Sequence, residues 1–296
     1  MEHLQFTSEP NLQSPIMLLA FAGWPDAAEG ATGALNYLAR KLPAKKFASI
    51  DPEEFYVFTE KRPVSRVNAQ GEREITWPAN DFYAYETKSH IQDMLIFAGV
   101  EPNLKWRAYS SAIVDMAQKF GVTKVVMLGA RLDSVPHTRP IRVSGGAMDQ
   151  EMAQRLGTMG VRGSGYQGPT GIGTAVSQAF MAKGIRFGSI WGHSPHYIQV
   201  AHFPKVSLAL LERLQDVLGT TFDLEEMRAS DAGFDREFKQ VLEKEDEIQA
   251  YVQRLERRYD AAQNQEVAMP TPQEMVQELE QFLRGLSRPH LPQKNV

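Results

Sequence analysis

The chain has 296 residues, 43% apolar and 23% charged, a size and balance that suit one large globular domain or a domain with an appendage. Its net charge of −4 gives bulk electrostatics no reason to hold nucleic acid, and no apolar run reaches the roughly 18 residues of a membrane-spanning helix. Cysteine is absent, which excludes disulfides and thiolate zinc sites; with a polar, acidic Met1–Ser14 where a signal would stand, a cytoplasmic protein is expected.

Ile16 to Ala22 is short, branched and uncharged, and reads as a strand. Ala27 to Leu42 follows as a helix with Ala31, Ala34, Leu35, Leu38 and Leu42 on one face. Asp26 is placed to cap it, and Gly30 and Gly33 allow a close approach to the sheet. Trp24, between strand and helix, is either a stacking surface at the ligand crevice or a packing residue. Phe47–Ile50 and Met94–Ala98 read as further strands; between them Phe55–Tyr85, with turn residues at Asn68–Gly71 and alternation around Glu74–Trp77, reads as an inserted β-hairpin. Trp106, Tyr109, Ile113, Met116 and Phe120 mark a helix before a strand at Val125–Leu128. Gly173–Lys183 (helix), Ile185–Trp191 (strand) and Pro204–Leu218 (helix) complete an alternation that predicts a largely parallel α/β sheet covered on both faces.

Beyond Phe222 the style changes. Residues 1–222 carry 22 basic and 20 acidic side chains and all four tryptophans, whereas 223–296 carry 10 basic and 16 acidic, leaving the body at +2 and the tail at −6. A core domain at 1–222 and a helical extension at 223–296 are expected. Phe234, Phe238, Val241, Ile248, Val252, Leu255 and Tyr259 form a heptad seam, and Met275, Leu279, Phe282 and Leu286 a second amphipathic helix. The seam is expected either in a helical hairpin folded against itself or the body, or in a coiled-coil arm for a partner.

Chemistry is expected at the carboxyl ends of the strands, where open α/β sheets hold ligands. The richest stretch is 129–140, Gly-Ala-Arg-Leu-Asp-Ser-Val-Pro-His-Thr-Arg-Pro, in which Pro136 and Pro140 pre-order His137, Thr138 and Arg139 and Arg131 lies just upstream. Glu101 ends the strand at Met94–Ala98, and His193 lies in Trp191-Gly-His-Ser-Pro-His-Tyr197. Glu101, His137, Arg139 and His193 are expected to share one cleft as acid/base groups and an anion clamp, unless Glu101 and Arg139 pair across a subunit contact. Gly163–Gly173 contains a literal G-x-G-x-x-G but does not follow a strand, so a dinucleotide fingerprint is rejected. Its end, around Thr170 and Gly171, instead opens a helix whose first amides face an anion, or is a plain connection. No G-x-x-x-x-G-K-[ST] is present, and without a G-x-S-x-G elbow no Ser-His-Asp arrangement can be read. The histidines lack metal-ligand spacing; neither metal nor cofactor is expected.

Gly23-Trp24-x-Asp26-Ala27, Asp51-Pro52-Glu-Glu-Phe55, Arg62-Pro63, Trp77-Pro78, Gly99-x-Glu101-Pro102-x-x-x-Trp106, Gly129 with Pro136-His-Thr-Arg-Pro140, and Trp191-Gly-x-x-Pro195-His196-Tyr197 together resemble the proteasome assembly chaperone 2 family, its actinobacterial members above all. The resemblance runs over roughly residues 15 to 220, and the charged tail is similar to an extension on those bacterial members. It implies a three-layer α/β/α fold like that of purine nucleoside phosphorylases, homo-oligomers (trimers in particular), and a non-enzymatic assembly or scaffolding role. The proteasome-docking end of some relatives, hydrophobic-tyrosine-any, is replaced by Lys294-Asn295-Val296, which speaks against docking by that route. The alternative is an enzyme or binder of an anionic nucleoside- or phosphate-like ligand. No nucleic-acid or membrane partner is expected.

Overall fold

The structure, a computed structural model, describes residues 2–87, 92–147, 153, 154, 157, 167–242 and 245–264. The strands are β1 (Leu4–Phe6), β2 (Ile16–Ala22), β3 (Lys45–Ile50), β4 (Val64–Val67), β5 (Arg73–Thr76), β6 (Asp81–Tyr85), β7 (Met94–Val100), β8 (Lys124–Asp133), β9 (Val143–Ala147) and β10 (Arg186–Pro195). The helices are α1 (Gly30–Lys41), α2 (Trp106–Lys119), α3 (Ile172–Ala182), α4 (Pro204–Leu218), α5 (Glu225–Leu242) and α6 (Asp246–Asn264). Eight strands form one sheet in the order β1-β3-β6-β7-β2-β8-β10-β9, and β4 and β5 pair apart from it.

Alternation along β2 shows how the layers arise. Ile16, Leu18 and Ala20 join a core with α1 and α4, while Met17, Leu19 and Phe21 join another with α2 and α3. Such a strand has no solvated face, so it carries no charge. β7, β2, β8 and β10 are parallel; β6, β3, β1 and β9 are added antiparallel at the two sides. The α/β/α sandwich is thus as expected, but the insertion is smaller. β6 belongs to the main sheet, between β3 and β7, because Phe82 packs its ring 4.5 Å from Phe97. Only β4 and β5 form the hairpin, turned at Gly71 with φ +83 while Asn68 Oδ1 accepts from the Gln70 and Glu72 amides.

Asp26 serves α1 from further back than a cap residue. Its buried carboxylate accepts from the Ala31 amide at 2.6 Å and from the Thr32 amide at 3.2 Å, and also from the Thr32 hydroxyl. Gly30 seats the helix: a Cβ there would lie 2.5 Å from Val206 Cγ1 and 3.0 Å from Ala130 Cβ. Gly30→Ala is therefore expected to cost about 1–3 kcal/mol by overpacking, read from a urea midpoint. Gly33 faces α4, not the sheet; its Cβ would meet the His202 ring.

β8 and β10 each run ten residues in parallel register, so Gly129–Asp133 and Gly192–Pro195 are strand where the expected strands stop at Leu128 and Trp191. The tail forms α5 and α6, folded on the chain's own body. Phe234 lies tilted 5.0 Å from Phe203, Phe238 lies edge-on 4.9 Å from His137, and Val252 and Leu255 are buried. At these four positions the apolar stripe that would have served a coiled coil is covered within the chain. Charge follows the same division: Arg40–Glu226, Lys41–Asp223, Lys205–Asp235 and Arg139–Asp260 each set a body cation on a tail anion, with Arg228–Glu212 reversed. The helix expected at Met275–Leu286 lies outside the described residues. Among the described residues no helix is long and apolar enough to cross a membrane.

Candidate functional site

The residues singled out by sequence fall into three groups with different partners. Glu101 directly follows β7 and His193 stands on β10, strands separated in the sheet by β2 and β8, hence by about 14 Å at the usual strand spacing. Residues 191 and 193 face the α2–α3 side, since Gly192 faces Val206 and Leu210 of α4. His137 and Arg139 lie under the tail, on the α4 side. The single cleft expected for Glu101, His137, Arg139 and His193 is therefore replaced by three separate settings. A two-residue pitch decides this: it sends neighbouring strand-end side chains to opposite faces.

At the first setting Gly23, with φ +114, turns the chain out of β2 and leaves Trp24 64% exposed. Glu101 Oε1 accepts from the Ile172 amide at 2.8 Å, in the first turn of α3. Gly171 fits beneath: its Cβ would lie 2.8 Å from Glu101 Oε1 and 3.1 Å from the Trp24 ring. Thr170 bonds Thr174 by its hydroxyl. The helix start does face an anion, and the anion is the chain's own carboxylate, held there by orphan amides and the helix dipole.

The second setting is buried. His193, 0% exposed, meets Asp133 Oδ2 through Nδ1 at 2.5 Å and Ser144 Oγ through Nε2 at 2.8 Å. Asp133 Oδ1 accepts the Ser134 amide at 2.8 Å, and Arg131 approaches the same carboxylate at 3.8 Å. Burial pushes the Asp133 pKa up, but the His193 bond, with His193 and Arg131 alongside, outweighs it and holds the carboxyl below its ordinary value. Burial lowers His193, partly offset by Asp133, so the ring is neutral at pH 7. The Nδ1 proton then points to the carboxylate, leaving Nε2 to accept from Ser144.

The third setting is the Pro136–Pro140 loop, which receives the tail. Arg139 holds Asp260 with a two-pronged fork, Nε at 2.8 Å and an NH2 at 2.7 Å, and reaches Glu256 at 3.3 Å. Thr138 bonds Glu256, and the Tyr259 hydroxyl donates to Pro140 O at 2.9 Å. The His137 amide donates to the Tyr197 hydroxyl at 2.8 Å, and the same hydroxyl lies 2.6 Å from His137 Nδ1. His196 Nε2 meets the Tyr251 hydroxyl of α6 at 2.9 Å.

Burial, reinforced by Lys205, pushes His137 down to about 4, with Asp235 and Glu256 opposing. The unfolded ring titrates near 6.5, so between pH 6.5 and 4 the unfolded state binds the extra proton and stability falls with pH, by up to about 3 kcal/mol. Hydrogen exchange is expected to rise in residues 225–264 between pH 7 and pH 5; equal protection at both would contradict this.

Sequence reasoning missed Asp133, Ser144, Tyr197, Tyr251, Glu256 and Asp260 as partners. Asp133 stood in the flagged stretch, but only strand register sets it beside His193. Among the described residues no three His, Asp or Glu are grouped to hold a metal ion.

Comparison with known proteins agrees with the fold and the motifs. A model of the PAC2 family matches residues 20–242. A PAC2 family protein from Streptomyces avermitilis is 34% identical, covering 80% of this chain and 99% of its own, with a TM-score of 0.73. A proteasome-assembly chaperone homologue from Mycobacterium tuberculosis is likewise 34% identical over 80% and 99%, with a TM-score of 0.72. A Corynebacterium glutamicum protein of unknown function is 23% identical with a TM-score of 0.79, covering 88% of this chain and 98% of its own; body residues 1–222 alone cannot supply that share, so the common fold reaches into the tail. No curated protein matches. The chain belongs to the PAC2 family.

Proposed function

We propose that this chain is an assembly or scaffolding factor that acts by protein contact, as a homo-oligomer, with 1–222 as its working body and 223–296 as an extension. The observation that carries this is the family match, which includes a proteasome-assembly chaperone homologue at 34% identity. The structure supports it in one respect: Arg139 and the α3 start, which an anionic ligand would need, hold Asp260 and Glu101. With these two groups already engaged, the nucleoside- or phosphate-binding alternative loses the anion contacts expected of it. Proteasome subunits are the first partners to try.

Two measurements test this. Light scattering on the purified chain is expected to give a multiple of its 33.2 kDa mass, a trimer first among them. Added to separately purified proteasome α and β subunits, the chain is expected to co-elute with one of them and speed their assembly. A monomer that binds neither subunit, and is stabilised by a nucleoside or sugar phosphate, would overturn the reading. A ligand at 100 times its Kd adds about 2.7 kcal/mol and is easily seen.

A further inference from the structure

Three strands bring Asp133, His193 and Ser144 together in the order that nucleophilic acyl transfer uses. The carboxylate orients the imidazole through Nδ1 at 2.5 Å, and Nε2 faces the serine hydroxyl at 2.8 Å. Such a constellation is recognised by geometry and roles, and recurs on unrelated folds without a G-x-S-x-G elbow. We propose that Ser144 is the nucleophile of an ester-hydrolysing site, with His193 as its base and Asp133 as the group that positions the base, acting on esters that carry a negative charge. This goes beyond the assembly reading and does not depend on it.

The surroundings fit the role. Among the described residues β9 is the last strand of the sheet, so Ser144, though only 6% exposed, lies on an edge strand. Its same-face neighbour Gly146 looks into open space: a Cβ there would meet nothing within 4 Å. The His193 amide donates to Arg142 O at 3.0 Å, which makes Arg142–His193 and, by alternation, Ser144–Trp191 the hydrogen-bonded pairs of this ladder. Gly145 falls between them, so its N–H, buried like Ser144, turns away from β10, on the side where the residue after a nucleophile supplies an oxyanion donor. Exposed Arg142 shares the face of Ser144, and Arg131 shares that of Asp133; both guanidinia act on His193 electrostatically. The exposed Arg142 guanidinium at this edge favours an anionic substrate.

The chemistry balances without any further reactant than water. Ser144 Oγ attacks the ester carbonyl carbon while its proton passes to His193 Nε2. The tetrahedral oxyanion collapses, the C–O bond to the alcohol breaks, and the Nε2 proton leaves with the alcohol, giving acyl-Ser144. Water then gives a proton to Nε2 and adds to the acyl carbon; collapse returns that proton to Oγ and releases the acid.

The test is made on the full chain with a fluorophosphonate, which phosphonylates activated serines with loss of fluoride. Peptide mass spectrometry is expected to find the adduct on Ser144. Ser144→Ala, which removes one hydroxyl, is expected to abolish the adduct and lower hydrolysis of a 4-nitrophenyl succinate monoester about a hundredfold or more, with proteasome-subunit binding unchanged. The anionic monoester is expected to react about tenfold faster than 4-nitrophenyl acetate, a preference lost in Arg142→Ala. No adduct on Ser144 of the wild-type chain, or equal hydrolysis by wild type and Ser144→Ala, would reduce the constellation to a structural hydrogen-bond network. Equal rates for the two esters would overturn the substrate class.

Discussion

Asp133→Ala is expected to destabilise the chain by about 3–5 kcal/mol, among the largest effects of any polar substitution in the molecule. The carboxylate is nearly wholly buried and receives the Nδ1 proton of a fully buried imidazole and the Ser134 amide. Removing it leaves both buried donors without their carboxylate partner, and removes the Asp133 counter-charge from Arg131. The wild type approaches the same condition in acid. The folded pKa of Asp133 is depressed, so its contribution is present above the ordinary carboxylate range and is lost as pH falls through the folded value. Urea unfolding at pH 7 with unchanged slope reads the effect. A loss under about 1 kcal/mol would mean that the Asp133–His193 pair does not hold β8 to β10.

Phe203→Ala is expected to cost about 3–5 kcal/mol as well, and to be felt in the tail more than a core cavity elsewhere would be. Phe203 is fully buried at the entry to α4, its amide donating to Ala28 O at 3.0 Å. Its ring supports Phe234, which stacks on Phe238, which in turn touches His137. Truncation removes the floor of this column, so residues 225–242 should exchange their amides faster than α1 or α2 does. Uniform loss of protection over the whole chain would instead place the tail in one cooperative unit with the sheet.

Periodicity made most of the body legible. β2, α2 and α4 were readable to within about a residue because apolar runs and 3.6-residue stripes report burial directly. The same logic marked the tail as helical, but as one seam from Phe234 to Tyr259 where the structure has two helices, α5 and α6. It failed where polar residues are satisfied inside the sheet. Gly129–Asp133 and Gly192–Pro195 look like loops because they carry Arg, Asp, His and Ser, yet they extend β8 and β10, their side chains answering one another across strands. The parity of these extensions decided the site: Arg131, Asp133 and His193 share a face, while His137, beyond the strand, turns to the tail. Ser144 was passed over because the serine-elbow motif belongs to one fold, whereas three residues 11 to 60 positions apart are joined only by sheet order. Asp260 and Glu256 could not have been matched to Arg139 before the hairpin of α5 and α6 was seen to fold back on the Pro136–Pro140 loop.

That fold-back within one subunit is the point on which the reading of the tail rests, and the absence of native cysteine allows a clean test. Cysteines are placed at Thr138 and Glu256, which bond each other in the structure, and bridged by a short thiol-specific crosslinker in an equal mixture of ¹⁴N- and ¹⁵N-labelled chains. Crosslinked peptide pairs are expected to be uniformly light or uniformly heavy, as intramolecular bridging requires. Mixed light–heavy pairs at the statistical half would show that the tail of one copy covers the loop of another.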